Sequence, residues 1–294
     1  MVKPAVAIDR INAVFGRHPG YRALHAKGRF YTGTFTPTPA AGALCAALHF
    51  QAPVPVRVRW SNGGGHPGVG DRAPDVRGMA VSFRLPDDTA TDLLGQTAPR
   101  FPVRTVEDFL DLVESSKPHQ VPGFLRRHRD AIGAILANAK AKAIIAPFSY
   151  AEATFYPVHA YRWTAPDGTQ RWVRYVLEPL AAKDERPSAK ISGKNRLFDE
   201  MEARLAEHPV RYRLQVTVAS AGDDPHDPMS VWKGDRVIDA GTVEVTATDP
   251  ARETGGEIVV FDPTRVVAGI ELSNDPILHY RAAAYSESAS RRMG

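Results

Sequence analysis

The 294 residues are 43% hydrophobic and carry 37 basic against 33 acidic side chains, a formal charge of only +4; a sizeable core is within reach and a cationic nucleic-acid-binding face is not indicated. The single cysteine, Cys45, excludes an intrachain disulfide framework and, in the apolar run Gly42-Ala-Leu-Cys-Ala-Ala-Leu-His49, reads as a buried small hydrophobe. No run approaches the ~18 apolar residues of a membrane span, and charges break the apolar stretch a signal peptide would need, so a cytoplasmic location is expected.

Residues 4–16 place Ala5, Ile8, Ile11, Val14 and Phe15 at helical intervals and stop at Gly16, which predicts a short amphipathic helix. Strands rich in β-branched and aromatic residues are expected over 29–36, 54–60 and 78–84. Between the last two, Ser61-Asn-Gly-Gly-Gly-His-Pro-Gly-Val-Gly70 is a glycine-dense loop able to approach a ligand closely. Helices are expected at 105–115 and 121–145, the second bearing Arg126-Arg-His-Arg129 on a solvated face. Strands return over 154–163 and 170–177, flanking the turn Ala165-Pro-Asp-Gly168. A helix fits 199–207, strands fit 210–218, 241–248 and 257–261, and helical spacing resumes at Pro276. With no internal repeat and no Gly/Ser linker, one domain over residues 1–294 is expected, α+β in class, an antiparallel barrel with helices around it.

Two distant runs carry the chemistry. In Tyr21-Arg-Ala-Leu-His-Ala-Lys-Gly28, His25 can face one side of a macrocycle while Arg22 reaches a carboxylate at its edge. In Arg281-Ala-Ala-Ala-Tyr285, a spacing of four on a helix stacks the guanidinium beside the phenol. A phenol is held as phenolate at neutral pH only with a fixed positive charge and a metal beside it. Together the runs outline a haem pocket. The other nine histidines show no metal-site spacing and read as structural or surface residues, with His66 set apart because its loop should lie near His25.

These runs stand in order with Val58-Arg-Trp-Ser61, Asp75-Val-Arg-Gly-Met-Ala80, Asp92-Leu-Leu-Gly95, Phe101-Pro-Val-Arg104, Phe261-Asp-Pro-Thr264 and Gly269-Ile-Glu271. In that order the chain resembles the haem catalases, from about Val14 onward. The resemblance implies the catalase β-barrel and haem b. It implies His25 as distal acid/base, Ser61 as its orienting partner, and Tyr285 as iron ligand with Arg281 beside it. Arg22, Arg59 and Arg292 would bind the haem propionates, Phe109 would pack on the distal haem face, and Asp71 would stand in the place of the acidic residue of the peroxide channel, although on its own residues a structural role capping the loop is favoured for it.

Departures from the family pattern matter as much. Gln96 stands where the family has a distal asparagine, and Leu24 and Gly63 where it typically has valines. The sequence stops soon after the ligand helix, without the C-terminal helical domain of full-length catalases, as in the shortened, catalase-related (mini-catalase) peroxidases. The resemblance therefore implies a haem peroxidase that uses hydrogen peroxide or an organic hydroperoxide to oxidise a small organic donor, with weak or no catalase activity. A true catalase, or a catalase-like enzyme that rearranges hydroperoxides, is the alternative, and a haem-storage or sensing module a more distant one. Peroxide and the donor are the expected partners, without nucleic acid or membrane, and a homodimer is the expected assembly.

Overall fold

Strands that alternate buried with more exposed side chains, such as 210–218, form the central sheet of a computed structural model that describes residues 2–181 and 183–293. β1 (Gly28–Pro37), β2 (Val54–Asn62), β3 (Arg77–Arg84) and β4 (Ala90–Gln96) run as one antiparallel meander. A second comprises β5 (Tyr161–Thr164), β6 (Gln170–Pro179), β7 (Val210–Val218) and β8 (Arg236–Thr248), with β9 (Ile270–Leu272) on the free side of β5. Pairing of β1 with β8 joins the two into a single sheet of order β4-β3-β2-β1-β8-β7-β6-β5-β9. Single bridges from Gln96 to Tyr156 and from Phe155 to Leu177 tie β4 back to β6, so the sheet curls on itself. Where β1 shifts register against β8, Gly33 is required: a Cβ there would lie 2.0 Å from the Glu244 carbonyl oxygen.

The curled sheet encloses Tyr31, Trp60, Val81, Phe155, Leu177, Tyr212 and Val243, all fully buried, each large apolar side chain contributing roughly 1.5–3 kcal/mol by leaving water. Outside it, α1 (Pro4–Phe15), α3 (Val106–Glu114) and α7 (Pro276–Met293) pack together, the first two through Ile8, Ile11, Val106, Leu110 and Val113. The remaining helices are α2 (Pro39–Leu44), α4 (Val121–Arg127), α5 (Ile132–Lys140) and α6 (Arg196–Leu205). No helix among the described residues is long and apolar enough to cross a membrane. Cys45 is buried, which pushes its thiol up to about 12, as expected of a small core residue.

Three expected elements differ. The helix expected over 121–145 is two, because His128 leaves helical dihedrals (φ −118°, ψ 69°) with its Nε2 2.7 Å from Asp111 Oδ2, and Lys142 lies at φ +55°. Of 154–163, only the stretch from Tyr161 forms a strand, Phe155 and Tyr156 making isolated bridges; Pro157 lacks the N–H a longer strand would donate. Residues 257–261 pair with no strand, and instead Val259 and Phe261 pack on Phe30. β4, β9 and α2 were not marked by the sequence pattern.

Candidate active site

Strand register builds one wall. Gly28 pairs with Ser61, Ser61 with Gly78 and Gly78 with Gln96, so four residues on neighbouring strands form a single row and share a face of the sheet. His25, three residues ahead of that row in β1, sits over it with Nδ1 3.0 Å from Ser61 Oγ. The glycine in the row makes room: a Cβ at Gly78 would lie 2.7 Å from Ser61 Oγ and 2.8 Å from both Cε1 and Nδ1 of His25. Gln96 lies two strands from Ser61, roughly 10 Å at ~4.8 Å per strand, its backbone exchanging hydrogen bonds with Tyr156.

His25 has a left-handed backbone, φ +54°, uncommon outside glycine. Three hydrogen bonds enforce it. Its N–H donates to the Gly63 carbonyl (2.8 Å), the Ala26 N–H to Gly64 (3.1 Å), and Arg59 Nη2 to the His25 carbonyl (2.6 Å). Thus the glycine-dense loop is a template for the turn that presents the imidazole. Burial, reinforced by the charges of Arg59, Arg281 and Arg22, pushes His25 down to about 3. The ring is therefore neutral near pH 7, and with Nδ1 engaged by Ser61 its Nε2 has no protein partner among the described residues.

The opposite wall is α7. Tyr285 is half-buried there, with the Arg281 guanidinium 5.6 Å from its ring centroid. Arg281 Nη1 donates to His159 Nε2 at 2.8 Å, and His159 Nδ1 lies 2.6 Å from Asp275 Oδ2. Since a guanidinium only donates, Nε2 must be the acceptor and Nδ1 must carry the proton given to Asp275. Burial, together with Arg281, outweighs Asp275 and holds His159 below its ordinary value, whereas Asp275 stays below its own because His159 outweighs the cost of its burial. Asp275 also accepts from the N–H groups of Ile277 and Leu278, so one carboxylate starts α7 and anchors the chain of contacts behind the phenol.

Arg22, Arg59 and Arg292 gather at the rim. Burial and the nearby Arg22 push Arg59 down to about 10, and burial with Arg22 and Arg59 does the same to Arg292. Phe109 on α3 stacks against Phe101, ring centroids 5.9 Å apart, and Phe101 borders His159. The structure thus brings His25, Ser61 and Gln96 to one sheet face, Tyr285 and Arg281 to the helix whose charge His25 feels, and the three arginines to one edge. A haem suits this donor set: a phenol whose oxygen bonds no protein group among the described residues, a neutral imidazole, and a cationic rim for two carboxylates.

Two side chains lie apart from this row. Asp71 does not face His25; its fully buried carboxylate takes Lys27 Nζ (2.6 Å), Asn62 Nδ2 (2.9 Å) and the Leu197 N–H (2.9 Å), a structural set. The carboxylate that meets the glycine loop is Asp75, which accepts from the Gly64 N–H (2.7 Å) and is pushed up by burial. His66 is exposed and packs on His18, 4.4 Å between ring centroids. Sequence reasoning took His159 as one of the structural or surface histidines and singled out neither Asp275 nor Glu253. The pair Asp275-Pro276 is a recognisable helix start, whereas nothing local marks His159 or Glu253.

Comparison with known proteins places this geometry. The family model for catalase matches residues 9–294. A protein of Mycolicibacterium paratuberculosis named catalase-related peroxidase is 44% identical, over 99% of this chain and 95% of its own. One of the same name from Synechococcus elongatus is 28% identical, over 99% and 89%. Against catalase-2 of Bacillus subtilis, 28% identical, the chain spans 44% of the relative's length. A fungal catalase crystal structure superposes with a TM-score of 0.79 at 20% identity, over 95% of this chain and 60% of that one.

Proposed function

The chain belongs to the catalase family, and from that premise we propose a haem-dependent peroxidase of the shortened, catalase-related kind, in which hydrogen peroxide or an organic hydroperoxide oxidises a small organic donor and catalase turnover is weak. It is an oxidoreductase acting on peroxide. The observation that carries the finer reading is the row Ser61-Gly78-Gln96 beneath a neutral His25: an acid/base pair kept intact, with the neighbouring amide on a longer side chain than asparagine would supply.

Haem b, bound between Tyr285 and His25, would supply an iron at which peroxide is reduced. The protein's part is proton handling and orientation. His25 Nε2 accepts a proton from one peroxide oxygen and returns it to the other, and Ser61 keeps the ring from turning while it does so. Gln96 offers an amide N–H to the outer oxygen. Opposite, the Arg281 guanidinium lies over the Tyr285 ring, and His159 with Asp275 fixes it in place. Arg22, Arg59 and Arg292 would hold the propionates. A catalase must also position a second peroxide closely; a distal amide on a longer side chain than asparagine favours an organic donor instead.

The test is rapid-mixing absorption of the haem-loaded protein with hydrogen peroxide, with and without a phenolic donor, while oxygen release is recorded. Donor-dependent turnover with little oxygen is expected, and His25→Ala should bind haem yet lose the peroxide reaction by about 100-fold or more. Vigorous oxygen release would make the protein a compact catalase, and an unchanged rate in His25→Ala would remove the proposed acid/base.

A further inference from the structure

Glu253 puts a carboxylate inside the arginine cluster. Its side chain, 7% exposed, pairs with both Arg22 and Arg59, and although burial works to raise its pKa, Arg59 and Arg22 outweigh it and keep the group ionised. A carboxylate so placed could be a rival that fills an anion site until a ligand displaces it, or a post that fixes the arginines for a ligand bound beside it.

The individual contacts separate these two. Arg22 gives Nε to Glu253 (3.1 Å) and Nη2 to the Val259 carbonyl (2.6 Å). Arg59 likewise gives Nε to Glu253 and Nη2 to the His25 carbonyl (2.6 Å). Each guanidinium thereby commits two of its nitrogens to the protein and keeps Nη1 without a protein partner among the described residues. Arg292 engages only Nε, 3.4 Å from the Ser288 carbonyl, and keeps both terminal nitrogens. A rival would be expected to take the terminal nitrogens that a ligand needs; Glu253 takes neither Nη1.

Backbone packing points the same way. Gly20, in the turn before Arg22, has φ +78°, and a Cβ there would lie 2.8 Å from Thr254 Cγ2. The Glu253 segment is seated against the turn that carries Arg22, so the pairing is set by main-chain shape as well as by side chains. Charge completes the match: three arginines and one carboxylate leave +2, the complement of two ionised propionates.

We propose that Glu253 is a positioning residue for a dicarboxylate ligand, fixing Arg22 and Arg59 so that their remaining N–H groups, with those of Arg292, receive the two propionates of haem. This rests on the haem reading above. It assigns to Glu253 recognition of the carboxylates and not of the porphyrin face.

Soret titration of the apoprotein with haem b and with haem dimethyl ester, whose carboxylates are blocked, tests it. Wild type should prefer haem to the ester. Glu253→Gln, which keeps the shape but releases both arginines from a charged partner, should bind haem about tenfold more weakly or worse while ester binding is unchanged, and Glu253→Asp should restore part of the loss. Tighter haem binding by Glu253→Gln would make Glu253 a rival and overturn the inference. Equal loss of haem and ester would make it merely structural and also overturn it. Should Glu253→Gln fail to fold, Glu253→Asp decides the matter, since withdrawing the carboxylate by one methylene should weaken haem binding selectively, and failure to do so refutes the role. Wild type that binds neither compound would overturn the haem reading itself, an outcome distinct from these.

Discussion

A histidine at φ +54° costs of order 1–3 kcal/mol in backbone strain, and here the Gly63 and Gly64 carbonyls with Arg59 Nη2 hold it there. The same carbonyl of His25 that steadies the turn also uses one nitrogen of Arg59, so the turn that carries His25 and the rim share a residue. Gly78 leaves room for the imidazole, since a Cβ there would lie 2.8 Å from it. Gly78→Ala should destabilise the protein by about 1–3 kcal/mol through overpacking and should slow the peroxide reaction by moving His25 off Ser61, measured by urea unfolding and rapid mixing. A loss of stability with unchanged peroxide kinetics would show that the ring tolerates displacement. His25 and Tyr285 stood out in the sequence because flanking arginines mark them, and Ser61 through the resemblance; the structure places Ser61 beside His25. His159 did not stand out, because its partners, Arg281 and Asp275, are more than a hundred residues away and only the fold unites them.

Among the elements, α7 concentrates the most function. Its first carboxylate, Asp275, starts the helix and ends the line Tyr285–Arg281–His159, so helix formation and the setting of the phenol's neighbour are one event. Asp275→Ala removes both, at about 1 kcal/mol for the cap and about 1–3 kcal/mol for leaving the buried His159 N–H unpaired, and should also weaken haem retention. Asp275→Asn keeps an oxygen for the cap and should lose less stability, while still dimming the effect of Arg281 on the phenol. Thermal unfolding of the apoproteins and haem-transfer rates separate the two; equal unfolding midpoints for both variants would show that the cap contributes nothing. The helix at 276 onward, β1 to β3 and α3 were readable from spacing. The break at His128 and the pairing of β4 were not, the first because a side-chain contact to Asp111 sets it, the second because Thr91-Asp-Leu-Leu-Gly-Gln96 lacks a clean alternation.

For the molecule as a whole, buried neutral histidines set the response to acid. His25 and His49 are both pushed down to about 3 by burial from an ordinary value of 6.5. Between those values the unfolded chain takes up protons that the folded one refuses, so each histidine leaves stability untouched above pH 6.5 and lowers it as the pH falls toward 3, by up to about 1.4 kcal/mol per pH unit. His49 lies among Phe35, Phe50 and Phe83, with Nδ1 unpaired, so His49→Phe suits its surroundings. The variant should gain on wild-type apoprotein by about that slope between pH 6 and 5 in urea unfolding, and a pH-independent difference would mean that His49 is protonated in the fold.

The pairing of β1 with β8 has a consequence for the order of assembly. Pro37 lies opposite Gly241, so β1 is made long before its second neighbour, and at ~5–20 residues per second the wait on the ribosome is about 10–40 s. Throughout that interval one edge of β1 is unprotected, and the turn that carries His25 has no Tyr285 to face. The two walls of the pocket face each other only once both have been synthesised, so a haem held between them, as proposed above, should enter only after residue 285 has been made.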